Sequence, residues 1–126
     1  MTHIYIDIKG LNQGLLSERC SKDKEHEDKI YATGLNYSTF NDDEIILNFK
    51  KLIDRASPLL YKAIMDKEEL KLNVEVYSDN EIRKKIKINK AFISKMGINA
   101  KAHRGSESDF EEISLECHDY NVTDID

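Results

Sequence analysis

Leu70-Lys71-Leu72-Asn73-Val74-Glu75-Val76-Tyr77 alternates apolar and polar side chains almost without a break. A period of two places Leu70, Leu72, Val74 and Val76 on one face and Lys71, Asn73, Glu75 and Tyr77 on the other, the pattern of a half-buried strand and not of a helix. Ser78-Asp79-Asn80 reads as a hairpin turn. Ile82, Ile86 and Ile88 then share one parity in a returning strand, which Phe92, Met96 and Ile98 continue after a bend or bulge. Residues 99–109 are polar and turn-like. Ile113, Leu115 and Cys117 alternate with Ser114, Glu116 and His118 in a final strand, and residues 121–126 read as a polar end.

The same alternation governs the chain upstream. Ile4, Ile6 and Ile8 oppose Tyr5, Asp7 and Lys9 until residues 10–14 interrupt the strand, and residues 17–29 read as a long solvated loop. Ile30 and Ala32 begin a second strand. Asn41-Asp42-Asp43 is a turn, and Ile45, Leu47 and Phe49 alternate through a third strand. Tyr31, Leu35, Tyr37 and Ile46 make these segments partly apolar on both faces, and either core packing or subunit contact accounts for them. The one helix starts at Ser57-Pro58, where a hydroxyl caps the first turn and proline needs no N–H donor. Leu59, Leu60, Ala63 and Ile64 form its apolar stripe, and it ends near Asp66-Lys67. On that reading Ser57→Ala costs about 1 kcal/mol, the value of a lost cap.

Three strands, one helix and three more strands, with no helix between consecutive strands, exclude a doubly wound parallel sheet. The expected fold is mainly β: an antiparallel two-sheet barrel or sandwich with one short flanking helix. Residues 1–126 suit a single domain. With 40% hydrophobic and 34% charged residues the chain has material for a core and a very polar surface, and a single proline and five glycines leave few turn-makers. The formal charge of −5 argues against a polyanion as main partner. No apolar run is long enough to span a bilayer, and the first residues lack the pattern of a signal peptide, so a chain made in the cytoplasm without membrane insertion is expected. Cys20 and Cys117 lie far apart with no CxxC spacing and are expected as free thiols.

Catalytic chemistry finds no support in the sequence. His26 lies among consecutive carboxylates in a loop, a spacing unsuited to converging metal ligands, and His103 lies beside Arg104-Gly105-Ser106. Cys117 and His118 are adjacent, so on a strand they point to opposite faces and cannot form a nucleophile–base pair. There is no Gly-rich phosphate loop, GxSxG or HExxH. No catalytic residue, metal or cofactor is expected.

Charge is unevenly distributed. Arg83, Lys84, Lys85, Lys87, Lys90, Lys95, Lys101 and Arg104 face a single acid over residues 81–104, whereas residues 105–126 carry eight acids and no lysine or arginine. Two explanations are open: the segments pair as neighbouring strands, or they meet between subunits and set orientation. Phe92 is the one aromatic within the basic stretch, too few for a nucleic-acid stacking platform.

Two strings resemble one family. Ser21-Lys22-Asp23-Lys24-Glu25-His26-Glu27-Asp28-Lys29-Ile30 is similar to the "ESKDKxHxxEI" segment of the haemolysin-coregulated protein (Hcp) family, the inner-tube subunit of type VI secretion. Leu47-Asn48-Phe49-Lys50-Lys51-Leu52-Ile53-Asp54-Arg55-Ala56-Ser57-Pro58-Leu59-Leu60 resembles its "FxKxIDKSTPxL", and Glu112-Ile113-Ser114-Leu115-Glu116-Cys117 its "ENVTLNF". The resemblance implies a tail-tube-like barrel and hexameric rings that stack into a tube. It also implies sheath and tip proteins as partners, effector cargo, and secretion from the bacterial cytoplasm through the type VI apparatus. The family's glycine-rich extended loop is reduced here to residues 38–43, and its tryptophan-bearing second strand is replaced by residues 31–37, which puts ring stacking in question. The expected subunit-interface residues are Lys22, Asp23 and His26 in the polar loop, Phe40, Asn41 and Asp42 in the turn, Lys84, Lys85 and Lys87, and Glu112, Glu116 and His118. The alternative is a monomeric β-barrel that binds single-stranded nucleic acid or an acidic protein.

Overall fold

A computed structural model describes residues 2–41, 44–99 and 110–124. In chain order they form β1 (Thr2–Gly10), β2 (Gly14–Leu15), a 3-10 turn (Lys24–His26), β3 (Ile30–Asn41), β4 (Glu44–Leu52), α1 (Ser57–Met65), β5 (Leu70–Ser78), β6 (Glu81–Asn99) and β7 (Phe110–Asp124). The strands lie in the order β2-β1-β3-β4-β7-β6-β5, and β5 returns to pair with β1. That last pairing, antiparallel from Thr2↔Ser78 to Gly10↔Leu70, closes the sheet into a barrel with the two-residue β2 as an outlying strand. Closure leaves most strands paired on both sides, which removes the exposed edges an open sandwich would have to protect.

Alternation places the core where the sequence suggests. Ile6 and Ile8 of β1, Ile45, Leu47 and Phe49 of β4, Leu70, Leu72 and Val74 of β5, Ile86 and Ile88 of β6, and Ile113, Leu115 and Cys117 of β7 are all buried. Each such aliphatic side chain contributes about 1.5–3 kcal/mol on burial. Helix α1 packs against β6 and buries Leu60 and Ala63. Leu35 and Tyr37 also pack against this core, so core packing accounts for them, while Tyr31 points outward.

Three expectations are corrected. The chain beyond Asn121 is strand and not a loose end, because the 19-residue β6 offers it a partner: Ile86 faces Val122 and Lys84 faces Asp124. The bend anticipated in β6 is present as register slips against β5 and β7. Residues 17–29 are not simply solvated. Ser17 is buried, and its hydroxyl accepts from the Ile8 amide at 3.1 Å and donates to the Asp28 carbonyl at 2.7 Å, tying the loop to β1.

The third correction concerns Ser57, which is not the helix cap. Ala56 occupies that position, and no side chain caps the first turn. Lys51 continues the inward parity of Ile45, Leu47 and Phe49 and is fully buried, at 0% exposure. Its ammonium lies 2.6 Å from Glu111 Oε1, 2.8 Å from Asp54 Oδ1, 2.9 Å from Ser57 Oγ and 3.2 Å from the Leu52 carbonyl. Ser57 Oγ also accepts from the Asp54 amide at 3.1 Å and donates to Glu111 Oε1 at 2.5 Å. The hydroxyl thus joins both charges of a buried ion pair, and Asp54 takes over the helix start by accepting from the Ala56 amide at 2.9 Å.

A second buried carboxylate holds the β1–β2 turn. Glu68 Oε2 accepts from the amides of Asn12 and Gln13 at 2.9 and 2.8 Å, and Oε1 from the Gln13 side chain at 2.8 Å. Gly10 makes this approach possible, since a Cβ there would lie 2.0 Å from Glu68 Oε2. Burial pushes the Glu68 carboxyl up, but the donors of Gln13 and Asn12 outweigh it and hold its pKa below the ordinary 4.5.

Two outcomes follow. Lys51→Ala leaves Glu111 and Asp54 buried without their counter-charge and should lower the unfolding free energy by about 3–5 kcal/mol. Ser57→Ala should cost about 1–3 kcal/mol, as expected when bonds to buried charged groups are lost; urea denaturation measures both, and losses no greater than those of surface substitutions would refute the cluster. Because the Glu68 pKa is lowered on folding, its contribution is complete above the unfolded value and is lost as pH falls through the folded one. Melting curves taken from neutral pH downward should therefore fall less steeply for Glu68→Gln than for the parent below about pH 4.5, and parallel acid limbs would contradict this.

Candidate functional site

The outer face of β1 carries an aromatic cluster. With Ile4, Ile6 and Ile8 turned inward, His3 and Tyr5 point outward, and the register places Tyr31 of β3 and Glu75 of β5 on either side of Tyr5, with Tyr77 beside His3. The Lys24–His26 turn lies over them. Asp23 caps that turn by accepting from the Glu25 amide at 3.1 Å, and its other oxygen accepts from the Tyr5 hydroxyl at 3.4 Å. The His26 ring stacks on Tyr5 with centroids 3.9 Å apart and planes 16° apart, and meets Tyr77 edge-on at 5.2 Å. Tyr5 meets Tyr31 and Tyr77 edge-on at 5.4 and 5.9 Å. His3 Nδ1 is 2.9 Å from the Tyr31 hydroxyl.

Beneath this cluster Lys29 forms an ion pair with Glu75 and approaches His26 Nδ1 at 3.5 Å. Tyr5 is 8% exposed. Burial pushes its hydroxyl pKa up, and the nearby Asp23 carboxylate adds to the shift; burial followed by Glu75 does the same for Tyr77. A cleft of about 560 Å³ adjoins the rings, lined by His3, Tyr5, Asp23, Glu25, His26, Tyr77 and Asn80.

The expected interface residues are spread over the barrel. Asp23 and His26 belong to the cluster, and Lys22 is exposed just before it. Phe40 and Asn41 lie on β3, and Asp42 falls outside the described residues, as do His103, Lys101 and Arg104. Lys84 has the inward parity and sits at the barrel mouth, donating to the Tyr37 hydroxyl at 2.8 Å and lying 3.3 Å from Asp124; the Tyr37 bond is the main cause of its raised pKa. Lys85 and Lys87 are exposed on the outer face. On the same side of the barrel, Glu112 pairs with Lys50 at 3.5 Å, His118 Nδ1 lies 3.5 Å from Glu44, and Glu116 is exposed opposite Phe92.

The basic and acidic segments are indeed neighbours, as β6 and β7. Their register nevertheless brings only Lys84 opposite an acid, Asp124. Lys85 faces Thr123, Lys87 faces Asn121, Lys90 faces His118 and Lys95 faces Ser114. Strand pairing thus accounts for the proximity of the two segments, while on its other side β6 places Lys85 opposite Glu75 of β5. The Lys51–Glu111 pair and the Tyr5–His26 stack were missed in the sequence, although inward parity marks Lys51 and Glu111 as charges in core positions.

Residues 5–123 match the family described as Type VI secretion system effector, Hcp. The chain belongs to the Hcp family. Its fold is similar to that of the secreted protein Hcp3 from Pseudomonas aeruginosa, with TM-score 0.77, 21% identity, and coverage of 100% of this chain and 99% of that one. Hcp1 from Salmonella typhimurium is similar with TM-score 0.79 and 16% identity, covering 99% and 88%. A chain of the anti-feeding prophage baseplate, solved with 6-fold symmetrisation, gives TM-score 0.60 at 8% identity, covering 96% and 92%. No curated protein sequence matches.

As an Hcp protein the chain is a structural tube subunit of type VI secretion and not an enzyme. Both cysteines are free thiols, with burial pushing Cys117 up to about 12 and Cys20 up to about 11. Among the described residues no helix is long and apolar enough to cross a membrane. The two strings that carry the Hcp resemblance build the two clusters described above: Lys51, Asp54 and Ser57 in one, Asp23, His26 and Lys29 in the other.

The stack should be separable from the ionisable group that makes it. His26→Phe preserves a flat ring on Tyr5, whereas His26→Ala removes it and should cost about 1 kcal/mol, the value of an aromatic pair. Hydrogen exchange at residues 20–29 should quicken in His26→Ala and stay near the parent rate in His26→Phe. Equal exchange in all three proteins would refute the stack as the loop's anchor.

Proposed function

We propose that the whole chain acts as one ring-forming domain, six copies closing a ring and rings stacking into the inner tube of a type VI apparatus. Effectors travel in or on this tube, and sheath and tip proteins contact it. The subunit is made in the bacterial cytoplasm and leaves through the apparatus. The Hcp match over residues 5–123 carries this reading. The likeness to a baseplate chain solved with 6-fold symmetrisation supports the ring number. The barrel adds a physical argument, because strands closed on themselves present a rigid outer wall whose side chains, and not backbone edges, make the contacts.

Ring stacking has less chain to draw on than in relatives with an extended loop, since β3 and β4 remain paired out to Asn41↔Glu44. Stacking then depends on the barrel ends and is weaker than ring closure. Native mass spectrometry of the purified chain should give a species of about six times the 14.6 kDa subunit mass. Negative-stain images should show annular particles, with tubes appearing only at higher protein concentration. A monomer persisting at high micromolar concentration, with no annular particles, would overturn the proposal.

A further inference from the structure

The two ends of the barrel differ in a complementary way. At one end the β1–β3 ladder stops at Ile4↔Ala32, while β3 runs on to Asn41 with β4 as its ladder partner among the described residues. The wall opens there into a hollow of about 700 Å³. Ile4, Leu35, Tyr37 and Val76, partly buried side chains packed against the core, line it. Both cations at its rim are already matched, Lys84 by Asp124 and Arg83 by Glu81, so what the hollow offers a partner is apolar surface.

The opposite end projects apolar side chains. Leu11 follows the last residue of β1 and Met65 closes α1; they are 72% and 83% exposed, and Leu15 of β2 is exposed as well. This tip is held in place. The Leu11 amide donates to the Glu69 carbonyl at 3.0 Å and the Gln13 side chain to the Leu59 carbonyl at 3.1 Å, which ties the β1–β2 turn to α1 and to the segment after it. Strand direction sets the two features at opposite ends: β1 runs from Thr2, at the hollow, to Gly10, next to Leu11, and β5 runs back from Leu70, just after α1, to Val76, at the hollow. The nine residues of β1 span roughly 26 Å between them.

We propose that Leu11 and Met65 of one copy dock into the hollow lined by Ile4, Leu35, Tyr37 and Val76 on a second copy of this chain in the next ring, end to end. The inference rests on the tube reading above and assigns its ring-to-ring contact. Removing large apolar side chains from water drives it, and a tip already fixed by hydrogen bonds loses little freedom on docking. Because the two surfaces differ, the contact is heterologous, and such a contact propagates when its rotation does not close. Every hollow then faces the same way along the tube, and stacking needs no extended loop.

Leu11→Asp combined with Met65→Asp tests the projection in the full chain without disturbing the core, since both side chains are exposed. Native mass spectrometry should still give the ring, and the protein concentration at which tubes first appear in negative-stain images should rise at least about tenfold. An unchanged threshold, or loss of the ring itself, overturns the proposal. A second measurement reads the geometry. Met65→Cys and Arg83→Cys are placed in one chain carrying Cys20→Ser, which leaves buried Cys117 as the remaining native thiol, and assembled tubes are treated with a short bis-maleimide. Links between copies in successive rings should give a ladder on denaturing electrophoresis that runs past six subunits. A ladder that stops at six places the contact within a ring, and intact tubes with no ladder keep the two positions apart; either result overturns this contact and leaves the ring standing. Rings that never stack overturn stacking and this contact together, and absence of rings in the parent protein overturns the ring reading as well.

Discussion

A lysine ammonium buried inside a barrel constrains everything around it. Lys51 sits where the inward alternation of β4 calls for another apolar side chain, and its charge is tolerable only because Glu111 of β7, Asp54 and the Ser57 hydroxyl converge on it. These partners come from a strand, a connection and a helix start, so satisfying one ion fixes the approach of β4 to β7 and the point where α1 begins. An apolar residue at position 51 would tolerate a helix docked a turn away. The ammonium does not, because displacing α1 would strip Ser57 from a buried charge. In this barrel the ion pair specifies geometry while the aliphatic core supplies most of the free energy.

The strands were legible in the sequence because their faces see different solvents. Leu70, Leu72 and Val74 alternate with Lys71, Asn73 and Glu75, and no other period fits them. The limits of legibility have equally local causes. The continuation of β7 past Asn121 depends on the reach of β6, a non-local fact that Asn121, Val122 and Thr123 cannot announce on their own. Ser57 looked like a cap because a hydroxyl before a proline usually is one; only the arrival of Lys51 and Glu111 from distant positions diverts it. Those two charges did leave a trace, since both fall on the inward parity of their strands, and a charge on that parity calls for a partner. His26 left none: polarity along residues 17–29 cannot report that one imidazole packs as an aromatic ring on a tyrosine more than twenty positions away in the chain.

The outer surface divides its work in a comparable way. Around β1, side chains that composition would class as polar or aromatic surface form a packed layer under the Lys24–His26 turn. Around β6 and β7 the register staggers most of the charges, and among the described lysines of β6 only Lys84 faces an acid of β7, Asp124. The layer around β1 is therefore preorganised, whereas the exposed lysines of β6 keep the conformational freedom of their stems.

The strand order has a further effect in time. β7, synthesised after the other described strands, is inserted between β4 and β6, and it brings Glu111 to Lys51. Until that strand has emerged from the ribosome the wall has a gap one strand wide and the Lys51 ammonium lacks its nearest carboxylate. The chain therefore acquires its finished barrel late in translation and through contacts distant in sequence, which slow folding relative to a helical bundle of the same size. A subunit cut short before β7 has neither a continuous wall nor a neutralised interior, so completeness of the polypeptide is checked by the fold itself before any copy can present an assembled surface to another.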